Sequence, residues 1–225
     1  MRKIIFDSST IISISEKCLT HLLRGLGQEG NVDFLVPQSV YGETVERPLK
    51  IKRFELGALR IQQAVEEGWL QLVKPNAVTK DLTRKILDTA NSLFFVGGAP
   101  LTIIQRGEAE TLAVCKHLEA GMVAIDERTT RMLIEDPWRL QEYVAYKQQQ
   151  QNVRLNEGRL QEFSKLLSDI EVVRSVELVA LAYERGYFKG TLLPSKQALE
   201  AALYALKFAG CAVSGSEIDR FLGRR

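Results

Sequence analysis

Two short apolar runs, each followed by an aspartate, constrain the fold of this chain more than any other feature. The run KIIF precedes Asp7, and the run MVAI precedes Asp126. Runs of this length and composition are typical of strands buried on both faces, and helix-like segments lie between them. The alternation predicts an α/β protein with a mainly parallel sheet, in which functional groups lie beyond the carboxyl ends of the strands.

Strand-like and helix-like segments alternate through the first 132 residues and resume near residue 170. Strands are predicted at residues 3–6, 34–36, 70–73, 123–125 and 170–173. Helices are predicted at residues 10–26, from 37, and at 56–67, 82–93, 108–120, 176–183, 195–208 and 216–222. This order indicates a three-layer α/β/α sandwich with a mainly parallel central sheet.

The segment of residues 137–168 departs from this alternation. It is polar and rich in glutamine, with four consecutive glutamines at 148–151. We interpret it as an inserted arm of two helices, bent near residues 156–158, that projects from the core, with the glutamines on a solvated helix face. Residues 191–225 are predicted to form a C-terminal helical extension.

The composition is that of an ordinary globular protein, with 45% hydrophobic and 26% charged residues. The net charge of +2 neither favours nor excludes a nucleic-acid partner. Three widely spaced cysteines give neither a disulfide framework nor a zinc signature. Because the chain also has no charged leader and no apolar run of about 20 residues, we expect a cytoplasmic protein without a membrane span.

Four acidic residues stand at the ends of these elements. Asp7 and Asp126 follow strand-like runs and should emerge at the same sheet edge, although each alone is typical of a helix cap. Glu43 follows Pro37 on a helix-like segment, and Glu108 opens the helix GEAETLAVCKHL. Such a group of carboxylates repels itself unless protons or a hard cation neutralise it, and oxygen ligands suit Mg²⁺ or Mn²⁺. A divalent-metal phosphodiesterase is therefore the hypothesis.

The sequence supports Glu108 as a site residue more strongly than Glu43. Glu108 shares a helix face with Leu112 and Cys115, where an unpaired carboxylate is costly. Glu110 lies on a mixed face and ranks below it. Glu43 could instead form a salt bridge with Arg47, one turn along its helix. Glu127, at a helix start, is expected to face water.

The pattern resembles the PIN-domain ribonuclease family. The likeness rests on FDSST after the first strand, on P-x-x-V-x-x-E at residues 37–43, on the acidic helix start GEAE and on DERTTR after the later strand. The last two strings are similar to a prokaryotic branch related to VapC-type toxins. Glu108 departs from the family, since many members have aspartate there. The likeness covers residues 1–132 and 170–190.

The resemblance implies a PIN-like nuclease domain at residues 1–190, interrupted at about 137–168. It implies a metal-dependent endoribonuclease that cleaves single-stranded RNA, with Asp7, Glu43, Glu108 and Asp126 as catalytic residues that hold Mg²⁺ or Mn²⁺. Ser9 would orient a ligand carboxylate, while Arg106 and Arg131 are candidates for phosphate contacts. It further implies a homodimer and, if the protein is a toxin, an antitoxin partner.

Two other interpretations use the same residues. One keeps the site but gives it a housekeeping role in RNA processing or DNA flap cleavage. The other is a catalytically weak or inactive PIN-like scaffold that dimerises and binds a protein or RNA partner through the helical arm. Loss of divalent-ion binding in a folded protein would favour the scaffold.

Overall fold

The structure is a computed structural model that describes residues 2–147, 153–188 and 195–224. The strands within these ranges are β1 (Arg2–Phe6), β2 (Val32–Pro37), β3 (Leu70–Val73), β4 (Phe94–Val96), β5 (Ala99–Pro100), β6 (Met122–Ala124), β7 (Val153–Leu155) and β8 (Glu171–Val173). The α-helices within them are α1 (Ser8–Glu16), α2 (Thr20–Gly30), α3 (Gln38–Tyr41), α4 (Glu55–Glu66), α5 (Ala77–Ala90), α6 (Arg106–His117), α7 (Arg128–Glu135), α8 (Pro137–Lys147), α9 (Glu157–Leu167), α10 (Ser175–Glu184), α11 (Lys196–Ala209) and α12 (Gly215–Phe221). A π-helical turn (Gly42–Glu46) continues α3, and a 3-10 turn (Pro48–Lys50) follows it.

The central sheet has five strands in the order β3-β2-β1-β6-β8, and every pair in it is parallel. Ile5 of β1 pairs with Leu35 of β2 on one side and with Val123 of β6 on the other. The strand prediction at residues 70–73 matches β3 to the residue. Because all five strands run in one direction, the residues that follow β1, β2 and β6 meet at the same edge of the sheet.

Alternation along the strands divides the core into two halves. Ile4 and Phe6 point to one face of the sheet, where α1, α2, α10, α11 and α12 bury their apolar residues. Ile5 points to the other face, which α5, α6, α8 and α9 cover. Helices thus cover both faces of a mainly parallel sheet, as the sequence predicts, and the arrangement is compatible with three layers.

The inserted segment does not project from the core, so that prediction is wrong. Between its two helices lies β7, which pairs antiparallel with β4 and completes a second sheet in the order β5-β4-β7. The apolar residues of these helices belong to the second half of the core, where α9 packs against α5 and α8 packs against α7 and β7. These apolar residues are Leu140, Val144, Leu160, Phe163 and Leu167. The glutamine run at residues 148–151 lies outside the described residues.

Truncation of Phe163 tests whether this segment belongs to the core. Its side chain is 1% exposed, so we expect Phe163→Ala to lower the free energy of unfolding by about 3–5 kcal/mol. Tyr146, in α8, is 85% exposed, and Tyr146→Ala should change stability by less than about 0.5 kcal/mol. Urea unfolding of both variants measures the difference. Equal, small effects would show that the segment is a detachable arm.

The helix predicted at residues 10–26 is two helices. Cys18 adopts a left-handed conformation with φ of 59° after α1. The N–H of Leu19 donates to the carbonyl of Ile14 at 3.0 Å, and that of Cys18 donates to Ser15 at 3.1 Å. This is the hydrogen-bond pattern that ends many helices with glycine, here formed around a cysteine.

The C-terminal helices add to the same core half as β1. Leu203 of α11 and Ile218 of α12 are fully buried within it. Ser195 caps α11, Gly210 ends it with φ of 118°, and Ser214 caps α12. Pro194, which precedes α11 in the sequence, lies outside the described residues. In the described part of the chain, no helix combines the length and apolarity that crossing a bilayer requires.

Candidate functional site

Asp7 lies where β1 ends, and it is 1% exposed. Its N–H donates to the carbonyl of Ala124 on β6 at 3.0 Å, which ties the two strand ends together. Its Oδ2 accepts from the N–H and the hydroxyl of Ser9, at 3.0 and 2.6 Å. Its Oδ1 is buried and has no hydrogen-bond partner in the described residues. Burial raises the pKa of Asp7 despite these bonds, and the charge of Glu127 adds to the rise.

Ser9 links the two aspartates. Besides donating to Asp7, its hydroxyl accepts from the N–H of Asp126 at 3.0 Å. A helix cap would need only the contact between Ser9 and Asp7. The second contact shows that Ser9 also sets the distance between the ends of β1 and β6.

Asp126 is 1% exposed, and both its carboxylate oxygens are occupied. The N–H of Ser175 donates to Oδ1 and the hydroxyl of Ser175 donates to Oδ2, each at 2.7 Å. Ser175 is the first residue of α10, where the helix dipole favours a negative charge. Burial, and then the charge of Asp126, raises the pKa of the Cys211 thiol to about 12. Asp126 therefore attaches α10 and the residues before α12 to the sheet edge.

Removal of the Asp126 carboxylate should destabilise the fold. Asp126→Ala leaves the N–H and hydroxyl of Ser175 buried without their acceptors, and hydrogen bonds to charged groups contribute about 1.5–3 kcal/mol each. We expect the free energy of unfolding to fall by about 3 kcal/mol in chemical denaturation. Asp126→Asn, which keeps an acceptor, should lose less. An unchanged stability in Asp126→Ala would contradict this structural role.

Glu108 accepts two hydrogen bonds and also has a raised pKa. Its Oε1 accepts from the hydroxyl of Thr130 and its Oε2 from the N–H of Gln105, both at 2.5 Å. Burial raises the pKa of Glu108 to about 7 against these two bonds, and the charges of Asp7 and Glu127 contribute to the rise. At neutral pH this carboxyl is therefore divided between its protonated and charged forms, and it can exchange a proton there.

Glu43 approaches the same place from the π-helical turn. Burial raises the pKa of Glu43, the charge of Asp7 adds to the rise, and Arg47 opposes it. A Cβ atom on Gly107 would lie 3.0 Å from Oε2 of Glu43, so the carboxylate rests against the first turn of α6. The absence of a side chain at Gly107 allows this approach. No ion pair between Glu43 and Arg47 is formed in the described residues.

Two further acids, Glu110 and Glu127, act on the acids of this edge, and the sequence pattern singles out neither. Glu110 is only 4% exposed, and its charge contributes to the raised pKa of Glu43. Its mixed helical face was misleading because α6 is buried on most of its surface. Glu127 caps α7 by accepting from the N–H of Thr130 at 2.7 Å, and its charge acts on Asp7 and Glu108. Its position next to Asp126 was the available signal.

The two arginines named as phosphate candidates differ in their surroundings. Arg106 is the first residue of α6, is exposed and stands two residues before Glu108. Arg131 lies on α7 with its Nε buried and without a hydrogen-bond partner in the described residues, 3.7 Å from a carboxylate oxygen of Glu135. Arg131 thus pairs with Glu135, whereas Arg106 forms no ion pair with any described residue.

The chemistry of the site suits a hard divalent cation. Asp7, Glu43 and Glu108 offer only oxygen donors, all three have raised pKa values, and Asp7 has a buried oxygen without a partner. In their present positions, however, the described residues contain no group of three or more His, Cys, Asp or Glu side chains that could hold a metal ion. A cation would therefore have to draw these carboxylates together.

No family model, no curated protein and no solved structure matches the chain.

Proposed function

We propose that the protein is a divalent-metal-dependent endoribonuclease of the PIN type. One observation carries the proposal. Asp7, Glu43 and Glu108 come from three separate elements to one sheet edge and hold raised pKa values, and Asp7 keeps a buried unpaired oxygen. A protein gains nothing in stability from acids arranged in this way, since each is poorly solvated and they repel one another. Such groups are typical of functional sites.

The residues take different parts in the proposed activity. Asp7, Glu43 and Glu108 would hold Mg²⁺ or Mn²⁺, with Glu127 as the adjacent fourth acid. Ser9 would orient Asp7 through the two bonds it donates. Asp126, whose oxygens are occupied by Ser175, supports the site rather than entering it in this arrangement. This assignment of Asp126 and Glu127 differs from the one implied by the resemblance.

The bound ion would supply Lewis-acid chemistry, activating a water molecule and stabilising charge on the leaving oxygen. Glu108 can hold or release a proton near pH 7 at its carboxyl oxygens. Arg106 stands at the exposed start of α6, where a phosphate of the substrate could be bound.

Cleavage of a mixed single-stranded RNA pool by the full chain tests the proposal. Endonucleolytic products should form with Mn²⁺ or Mg²⁺ and disappear with EDTA. Products that form equally in EDTA would contradict metal dependence. Intact RNA in both conditions, with a folded protein, would contradict the nuclease activity itself.

A second candidate function is a PIN-like scaffold without catalysis. It is favoured by the lack of a pre-formed group of three metal-binding side chains in the described residues and by the structural use of Asp126. The two functions differ in divalent-ion binding, which the scaffold does not need. A toxin role with an antitoxin partner, and a homodimer, stay predictions.

A further inference from the structure

A cleft of about 690 Å³ lies between α7, α8 and the start of α12, and the nuclease proposal does not use it. Arginines and tyrosines line it: Arg128, Arg131, Arg139, Arg220, Tyr143 and Tyr146. The Arg128 guanidinium carbon lies over the ring of Tyr143, 5.6 Å from its centroid. Tyr146 presents its ring to solvent. Flat, exposed aromatic and guanidinium surfaces are the groups on which unpaired bases stack.

The charges in this cleft leave cations available. Arg128, Arg139 and Arg220 form no ion pair with any described residue. Among the acids in the lining, Glu217 is neutralised from behind by Arg174, whose Nη1 donates to it at 2.9 Å. Burial opposes ionisation of Glu217, but hydrogen bonds from Ser214 and Arg174 lower its pKa to about 2. Three more acids line the cleft: Glu135, which pairs with Arg131 at 3.7 Å, Asp136, which accepts from the backbone N–H of Arg139, and Glu142. Arginines and acids are thus equal in number in the lining, and an anion would bind through the three guanidinium groups that form no ion pair with a described residue.

One helix joins this cleft to the acidic site. Glu127 and Thr130 of α7 face the acids, since Glu127 acts on Asp7 and Thr130 donates to Glu108. Arg128 and Arg131 of the same helix line the cleft. The first turns of α7 thus carry residues of both the cleft and the acidic site.

We propose that this cleft binds single-stranded polynucleotide next to the acidic site. Bases stack on Tyr146 and on the Arg128–Tyr143 pair, while Arg128 and Arg139 bind phosphates. This inference rests on the proposed nuclease function for its purpose, but the binding itself needs no metal ion. The inserted segment of residues 137–168 then has a defined role, because its first helix carries the stacking surface.

Fluorescence anisotropy in EDTA tests the cleft separately from the metal site. The probe is a fluorescein-labelled 12-nucleotide RNA of mixed sequence. We expect Tyr146→Ala to weaken binding about tenfold, the typical loss for one stacked base, without changing its salt dependence. Arg128→Gln and Arg139→Gln should each reduce the slope of log K against log salt by about 0.7, the value for one phosphate contact on a single strand.

Control variants outside the cleft show whether the loss of binding is specific to residues that line it. Trp138→Ala removes an exposed aromatic residue of α8 outside the cleft, and Arg84→Gln removes an exposed arginine of α5. Both should bind as the wild type does. An abasic strand of equal length should not distinguish Tyr146→Ala from the wild type, and DNA of the same sequence shows whether the sugar matters.

Two results would overturn the cleft proposal. One is a wild-type protein that binds no single strand in EDTA. The other is an equal loss of affinity in Trp138→Ala and Tyr146→Ala. Either result would leave the nuclease proposal standing if Mn²⁺-dependent cleavage were observed. Binding without any cleavage would support the cleft and contradict the nuclease.

Discussion

Asp7→Asn should abolish RNA cleavage and stabilise the metal-free protein at the same time. Loss of a group that holds the metal should reduce cleavage by at least about 100-fold, since even the partners of such groups contribute 10–100-fold. Asparagine keeps an oxygen that can accept from Ser9. It also removes a buried carboxyl group, whose pKa is raised because burial disfavours its charged form. Because a buried carboxylate destabilises the folded protein, its removal should raise Tm by about 2–4 °C.

The control for this variant is Asp88→Asn, which removes an exposed carboxylate of α5, a helix that contains none of the proposed metal ligands. It should change neither cleavage nor Tm. Thermal unfolding in EDTA and cleavage with Mn²⁺ are measured on the same preparations. A fall in Tm of Asp7→Asn would show that Asp7 is a structural helix cap, which the functional role does not require.

The stability of the metal-free protein should fall as pH rises from about 4.5 to about 7. A glutamate in the unfolded chain loses its proton near pH 4.5, whereas Glu108 in the folded protein loses it near 7. Between these values the folded state binds more protons, so the free energy of unfolding decreases with pH. The contribution of Glu108 is roughly 2–3 kcal/mol over this window. Asp7 and Glu43 act in the same direction, since their pKa values are also raised.

Chemical unfolding across this pH range, with Glu108→Gln beside the wild type, measures the effect. The variant should show a much flatter dependence, because glutamine does not titrate. Saturating Mn²⁺ should oppose the decrease in the wild type, since metal binding favours the deprotonated carboxylates. A wild-type stability that rises steadily between pH 4.5 and 7 without metal would contradict the account of these acids.

The sheet and its edge could be predicted because local sequence determines them. Buried parallel strands read as short apolar runs, so β1 and β6 were found together with the aspartates that follow them. The contacts that these aspartate side chains make could not be predicted from the local sequence. Asp126 is held by Ser175, 49 residues away, and no local pattern links the two.

The second sheet escaped prediction for a related reason. Its strands β4 and β7 have three residues each and pair across more than fifty residues of chain, so neither has a periodicity of its own. Once β7 is fixed on β4, α8 and α9 lie against the core, and a segment that appears polar in sequence buries Leu140 and Phe163. The break at Cys18 was missed because neither glycine nor proline marks it.

Binding of Mn²⁺ to the folded protein in the absence of RNA tests the central claim most directly. We expect titration calorimetry at pH 7.5 to detect Mn²⁺ binding to the wild type and to Asp88→Asn, with protons released from Glu108 on binding. Asp7→Asn should bind no Mn²⁺ while remaining folded. A folded wild type that binds no Mn²⁺, or an Asp7→Asn variant that binds it as tightly as the wild type, would contradict the metal site.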